Sequence, residues 1–368
     1  MRTIRQLLYQ EILVAVGFVT LGILALFFFF DFVDELRWVG RTGYQTTQAL
    51  LVVALMVPSH LYELLPITLL IGTIFVMARL AQSSEYTILR TSGLGPWRAL
   101  RTLLLLGFAF VALTFAIGDY LAPVSDRAAQ LIKARFQGGI TVGQTGAWLK
   151  EKQADHSFAA NVSVLAAQGR MQGVRIFEFD NNGLLVSLMH AESAEVAIGG
   201  AWTLINVERS SFHTQNTQAT DTASVERTQL PTYRWPTEIS TEMVSTALLK
   251  PDRMATLDLF QYIRHLAANG QSAQRYEIEF WRKVFYPLSC VVMVVLALPF
   301  AYLHFRAGGI TTYVFGGVMA GISFFLLNNV FGYIGNLQNW QPWLTAAAPG
   351  LIYSMLSLAA FGWLVLRR

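Results

Sequence analysis

The stretch Ile310–Val330 reads ITTYVFGGVMAGISFFLLNNV, and Gly350–Leu366 reads GLIYSMLSLAAFGWLVL. From Ala307 to Leu366 the chain holds no Asp, Glu, Lys or Arg, and Ile12–Phe30 and Val284–Leu303 are charge-free as well. Uncharged apolar runs of about 18 residues or more cross a bilayer as helices, because a helix satisfies its own backbone hydrogen bonds where water is absent. Roughly Ser125 to Arg275, by contrast, is polar and ordinary. The pattern predicts a membrane protein with a soluble domain inserted between two helical halves.

Composition agrees. Hydrophobic residues make up 54% of the 368 and charged residues only 14%, with mean hydropathy +0.44, above the soluble norm of roughly 45–50% apolar. The net charge of +4 is small, and no clustered basic face argues for nucleic acid. The only cysteine, Cys290, lies in an apolar run, so neither an intrachain disulfide nor a cysteine cluster can form. Arg2 and Arg5 precede an apolar core that continues through Phe27–Phe30 to Asp31. A cleavable signal has a shorter core followed by small residues, so a retained membrane helix is expected.

Six spans are expected, near 12–33, 48–78, 99–121, 282–303, 310–333 and 343–366, in a three-plus-three arrangement. The expected organisation is helices one to three in 1–124, an inserted all-β domain in 125–275, and helices four to six in 276–368. Basic residues in short loops set orientation. Arg2, Arg5, Arg79, Arg90, Arg98, Arg101, Arg306, Arg367 and Arg368 fall on one side; only Arg37 and Arg41 fall on the other, beside Asp31, Asp34 and Glu35. Both termini are therefore expected in the cytoplasm, and the insert outside it.

The insert reads as β. Val174–Phe179 alternates, Asn181-Asn182-Gly183 is a turn and Leu184–Met189 returns, while Gly199-Gly200 precedes Trp202–Glu208. Gly146–Lys152 and Ser157–Val164 are weaker strands, and the polar Thr214–Ser224 is expected to be a loop. Short antiparallel strands suggest a sandwich or jellyroll. From Thr256 the period becomes helical, with Leu257, Phe260, Ile263 and Leu266 on one face and Asn269-Gly270 as its end. Ser272 then caps a helix running through Trp281 into the fourth span.

Several segments carry chemistry. In the loop between Arg79 and Arg101, Ser83 or Ser84 can cap a short helix near 83–93, Glu85 sits in its first turn, and Gly93 and Pro96 end it. Such a helix is either a docking peg for a cytoplasmic partner or a plain interfacial connector. No P-loop occurs, so ATP, if used, is hydrolysed by another subunit. Arg37 and Arg41 follow the first span, where guanidinium groups suit lipid phosphates; local pairing with Asp34 or Glu35 is the simpler alternative. His60 and Glu63 lie inside the second span near Pro58 and Pro66. Gly317-Val-Met-Ala-Gly321 is a G-x-x-x-G pattern that permits close helix approach, within this chain or to another subunit. Phe27–Phe30, Phe324, Phe325 and Phe331 face lipid or line an acyl-chain cavity. His156, His190 and His213 lack metal-ligand spacing, and Asp155-His156-Ser157 on a strand points neighbours apart. No catalytic role, metal or cofactor is expected.

Val33-Asp34-Glu35-Leu36 after a Phe-rich span, Leu80–Glu85 leading to Thr91-Ser92-Gly93, Ala122-Pro123, Gly138-Gly139 and Trp148-Leu-Lys150 together resemble the LptF/LptG permease family. Gly270-Gln271 through Arg275-Tyr276 to Trp281-Arg-Lys-Val-Phe-Tyr-Pro287-Leu288 carries the strongest likeness and favours the G branch over its F sister. The resemblance implies a permease of the lipopolysaccharide export ABC transporter in the bacterial inner membrane, with a periplasmic β-jellyroll. It implies an LptF-like sister permease, an LptB-like ATPase dimer, an LptC-like anchored β-jellyroll protein and a periplasmic LptA-like bridge as partners. Glu85, with Ser84, Tyr86 and Arg90, would couple to the ATPase. Arg37, Arg41, Phe27, Phe324 and Phe331 would contact lipopolysaccharide, and Gly317 and Gly321 would line the seam between permeases. Arg37 keeps one position of the family's basic pattern, Trp38 follows it, Asp31 occupies an earlier position, and Arg41 is the substitute. A secondary transporter of amphiphiles and a membrane-anchored sensor are the competing classes; the charge-free last spans argue against the first, and a sensor needs only one or two anchoring helices.

Overall fold

The structure, a computed structural model, describes residues 2–41, 43–93, 95–137, 146–153, 155–166, 170–196, 201–217, 220–240, 243–244, 251–302 and 310–363. Arg306, Arg367, Arg368, Gly138-Gly139 and Gly199-Gly200 lie outside them. The chain divides into two compact units, Met1–Arg37, Val53–Asp126 and Gln274–Arg368 in one, Trp38–Val52 and Arg127–Ala273 in the other.

The first unit is helical. It is built from α1 (Arg2–Leu36), most of α2 (Thr46–Gln82), α3 (Glu85–Thr91) and α4 (Pro96–Ala116), which passes through a π turn at Ile117–Leu121 into α5 (Ala122–Gln137). After α6 (Thr256–Ala268), which belongs to the second unit, come α7 (Gln274–Phe285), α8 (Ser289–Ala297) with a 3-10 turn Leu298–Tyr302, α9 (Ile310–Leu337) and α10 (Pro342–Phe361). Among the described residues five helices are long and apolar enough to cross a membrane, and the bent pair α7–α8 passes the same test together, giving up to six.

Two boundaries differ from expectation. The fourth span is not one rod. It bends by 47° at Tyr286–Leu288, where Pro287 offers no N–H and its ring crowds the preceding turn. The third span does not stop at 121. Its helix continues to Gln137, and the π turn releases the Gly118 carbonyl, which accepts a bond from Lys283 Nζ at 3.0 Å.

The core of this unit runs along α2. Leu65, Leu69, Val76 and Met77 pack with Leu103 and Leu106 of α4 and with Cys290, Val294 and Leu298 of the bent pair. On another side Leu70 and Ile74 pack with Met293, Phe324 and Tyr353. Approach to α1 is close: a Cβ added at Gly72 would lie 2.8 Å from the Val16 amide nitrogen. Glycine is required there because only hydrogen fits between the two backbones.

The second unit is a six-stranded antiparallel sheet in sequential order: β1 (Ala147–Lys152), β2 (Ser157–Leu165), β3 (Met171–Phe179), β4 (Leu185–Val196), β5 (Trp202–Thr217) and β6 (Thr220–Trp235). The β3–β4 turn is closed by Asp180, whose carboxylate accepts from the Leu184 and Asn182 amides at 2.8 and 2.9 Å and is held below the ordinary carboxyl range by those bonds. Apart from 218–219, which lie outside the described residues, Thr214–Ser224 is not a loop. It pairs as the end of the β5–β6 hairpin, His213 opposite Ser224 and Gln215 opposite Thr222, because threonine suits a pleated backbone however polar it is. Trp202, Trp235 and Phe158 meet edge to face inside the unit, with Trp202 Nε1 donating to the Ile239 carbonyl at 2.7 Å. α6 buries Leu259, Tyr262 and Leu266. Of the four residues expected to share one face, Leu257 and Phe260 are exposed and Ile263 is half-buried, leaving only Leu266 on the buried face.

Candidate functional site

The short helix α3 is held from one side only. Ser84 occupies its N-cap position in the left-handed region, φ 61°, and makes no side-chain cap. Ser83 does not cap it either, since its hydroxyl donates back to the Arg79 carbonyl at 3.1 Å, at the end of α2. Gly93, at φ 103°, ends the element, and Arg98 Nη1 closes the following turn on the Gly93 carbonyl at 2.9 Å.

Tyr86 turns inward. It is 3% exposed, in the cluster with Leu80, Ala99, Leu103 and Leu298, and its hydroxyl donates to that of Tyr302 at 3.1 Å. The rings meet edge to face at 5.2 Å, and the Arg90 guanidinium lies 5.9 Å from the Tyr302 ring centre. Burial, reinforced by the Tyr302 bond, raises the Tyr86 phenol well above the ordinary tyrosine value. Ser84, Glu85, Ile88 and Arg90 remain exposed, so α3 offers an acid, an aliphatic side chain (Ile88 63% exposed) and a base to whatever meets it. Of the four residues assigned to coupling, three face out and Tyr86 anchors.

At the other end of α1, Arg37 pairs with Asp34 at 3.2 Å, both well exposed. An exposed pair of this kind contributes at most about 1 kcal/mol and leaves the cation free to exchange partners. The Arg41 guanidinium lies 5.4 Å from the Trp38 ring. Asp31 is 2.6 Å from His60 Nε2, and Phe27 packs on the same imidazole at 5.0 Å. Phe331 lies 6.2 Å from Trp340. Phe324 is 2% exposed, edge to face with Tyr353 at 5.1 Å; in this conformation it belongs to the core.

Gly317 and Gly321 face inward. A Cβ at either would come within 2.7 Å of a methyl group of α2, Ile74 Cδ1 or Ile67 Cγ2. The close approach these small residues permit is thus one within the chain. The face of α9 left bare carries Phe315, Met319, Ile322, Leu326, Val330, Tyr333 and Leu337, spaced three or four apart.

Sequence reasoning missed Tyr302, the partner of Tyr86 from 216 positions away, and the Lys283 bond to Gly118. Neither pairing leaves a short-range signal, because both depend on how distant helices pack.

A family described as lipopolysaccharide export system permease LptF/LptG matches residues 6–367. Over 340 residues, 92% of this chain and 90% of the relative, the sequence is 27% identical to the lipopolysaccharide export system permease protein LptG of Escherichia coli strain K12. Over 369 residues, 100% of this chain and 99% of the relative, it is 26% identical to the LptG of Haemophilus influenzae. With apolar helices on both sides of an inserted antiparallel sheet and a match over nearly its whole length, the chain belongs to the LptF/LptG family of lipopolysaccharide export system permeases.

Proposed function

We propose that this chain is the G-type permease of an ATP-driven exporter, which extracts lipopolysaccharide from the inner membrane and passes it to a periplasmic bridge. Family membership across residues 6–367 carries the reading. The excess of Lys and Arg at the termini and the 79–101 loop supports cytoplasmic termini and a periplasmic sheet domain. An LptF-like sister permease, an LptB-like ATPase dimer, an LptC-like anchored protein and an LptA-like bridge are the proposed partners. The chain is a transport subunit, and hydrolysis belongs to the ATPase.

Two features support where force enters. α3 presents Glu85, Ser84, Ile88 and Arg90 outward, while Tyr86 fastens the element to Tyr302 at the end of the bent pair. A push on α3 is therefore delivered to a helix already broken at Pro287. Arg37 and Arg41 take lipid phosphates, Phe27 and Phe331 touch acyl chains, and Phe324 supports them from the core. The bare face of α9, rather than Gly317 and Gly321, supplies the seam with the sister permease.

The test is Glu85→Ala in the complete complex. Removing a carboxylate that accepts charge-assisted bonds of about 1.5 kcal/mol or more weakens ATPase co-purification about tenfold, or leaves hydrolysis running without transport. Wild-type retention of the ATPase together with wild-type transport rejects the coupling role.

A further inference from the structure

Two helical segments of the first unit depart from α geometry, and one side chain joins the departures. The turn Ile117–Leu121 between α4 and α5 is π-type, with the Ala122 amide donating to the Ile117 carbonyl five residues back. In an α turn that amide would serve Gly118 instead. The π-type donor for Gly118 would be residue 123, and Pro123 has no N–H. The Gly118 carbonyl therefore lacks both its α and its π donor. Lys283 Nζ, from α7, donates to it at 3.0 Å. Lys283 stands one turn before Pro287, where the bent pair turns by 47°.

The ammonium is inside the protein. Lys283 is 7% exposed, in a helix pair apolar enough to cross a membrane, where an ionisable side chain is expensive to keep and marks function. Its neighbour Arg282 is engaged elsewhere, with Glu279 at 2.7 Å and Asn329 at 3.0 Å. α2 is the wall of the joint. The Tyr62 ring fills the space a Cβ on Gly118 would need, and Lys283 Nζ lies 6.0 Å from the centre of that ring. The same ring packs at 5.2 Å on Tyr286, where the bend begins. The Tyr286 hydroxyl in turn donates to the Glu63 carbonyl of α2 at 2.5 Å.

We infer that Lys283 is the positioning residue of a two-state joint, through which the bent pair sets the direction of α5. A π turn has a second arrangement close at hand. If the Ala122 amide moves from the Ile117 carbonyl to that of Gly118, the turn closes to α and α5 is re-aimed. Lys283 competes for the same carbonyl, so its position decides which arrangement holds. Both arrangements are discrete, as a coupling element requires. The inference rests on the proposed reading in which α3 receives the ATPase, because the push then reaches the bent pair through Tyr302.

The complete complex is reconstituted in proteoliposomes containing lipopolysaccharide. Spin labels sit on cysteines replacing Leu105 of α4 and Val124 of α5, both exposed and about 28 Å apart along the helix. When the ATPase is trapped with vanadate, the label distance is expected to shift by about 1–2 Å or more, the scale of helix movements in switching proteins. In Lys283→Met the shift disappears while hydrolysis continues, and delivery of lipopolysaccharide falls about tenfold or more, as loss of one charge-assisted bond predicts. Pro123→Ala returns an N–H to the turn, so Lys283→Met/Pro123→Ala keeps Gly118 satisfied with the link still absent. This double variant is expected to assemble and to lack both shift and delivery. Recovery of either assigns Lys283 to satisfying the carbonyl alone and overturns the inference. Failure of the double variant to assemble overturns it too, as does an unchanged label distance in the complex with Lys283 and Pro123 intact. If that complex hydrolyses ATP and shows the shift but delivers no lipopolysaccharide, the transport reading fails and the joint stands.

Discussion

α2 and α9 are both long and apolar, with mean hydropathy of 2.1 and 1.7 over their richest windows, yet 78% of that window is buried in α2 and 22% in α9. The buried helix is the one that carries Pro58, Pro66, His60, Glu63, Thr68 and Thr73; α9 has no ionisable acid or base other than its tyrosines. Hydropathy measures transfer out of water, and lipid or protein satisfies it equally well. Ionisable groups separate the two cases, since α9 carries Ser323, Asn328 and Asn329 but no carboxylate or histidine. An ionisable group inside a membrane is retained where protein can meet it, as His60 meets Asp31. A helix without such groups can keep a face for lipid or for another subunit.

Three glycine substitutions probe that difference, each read as thermal unfolding of the purified chain in detergent. Gly72→Ala on α2 is the most damaging, because the new methyl would meet the α1 backbone at Val16; overpacking against backbone outweighs the helix-propensity gain and costs about 2 kcal/mol. Gly317→Ala on the inner face of α9 meets only the tip of Ile74, and clash and propensity nearly cancel, within about 1 kcal/mol. Gly316→Ala, one residue along and facing open space, stabilises by about 0.5–1 kcal/mol. A loss at Gly316 equal to that at Gly72 would break the comparison. Repeating the series in the assembled complex sharpens it: the seam proposed on α9 predicts that the gain at Gly316 disappears there.

The sequence announced its spans through missing charge, and it announced β3, β4 and their turn through the alternation of Val174–Phe179 and the Asn-Gly pair. The misreadings have physical causes. Periodicity treats a helix as continuous, so Pro287 within an apolar run did not reveal the bend, although the missing N–H was visible. Polarity marked Thr214–Ser224 as exposed, and exposure does not prevent strand pairing at the end of a hairpin. On α6 the spacing of apolar residues admitted two faces, and packing chose Leu259, Tyr262 and Leu266. At the site, the outward position of Glu85 followed from local signals, whereas the inward turn of Tyr86 and the burial of Phe324 are properties of tertiary packing. The direction of Gly317 and Gly321 was open in sequence, because a small-residue motif specifies closeness and not the neighbour.

The hydroxyl bond between Tyr86 and Tyr302 has a consequence for ionic strength. Both partners are neutral, and Tyr86 stays protonated far above physiological pH, so salt and ordinary pH changes leave that joint intact. The outward face of α3 carries Glu85 and Arg90 beside Ile88 and Ser84, and the interactions of the two charges are screened over a Debye length of about 8 Å at physiological salt. Under the coupling role proposed for α3, rising salt is expected to weaken the charged part of its contact with the ATPase while the Tyr86–Tyr302 joint stays whole, which would make the attachment adjustable and the internal linkage fixed.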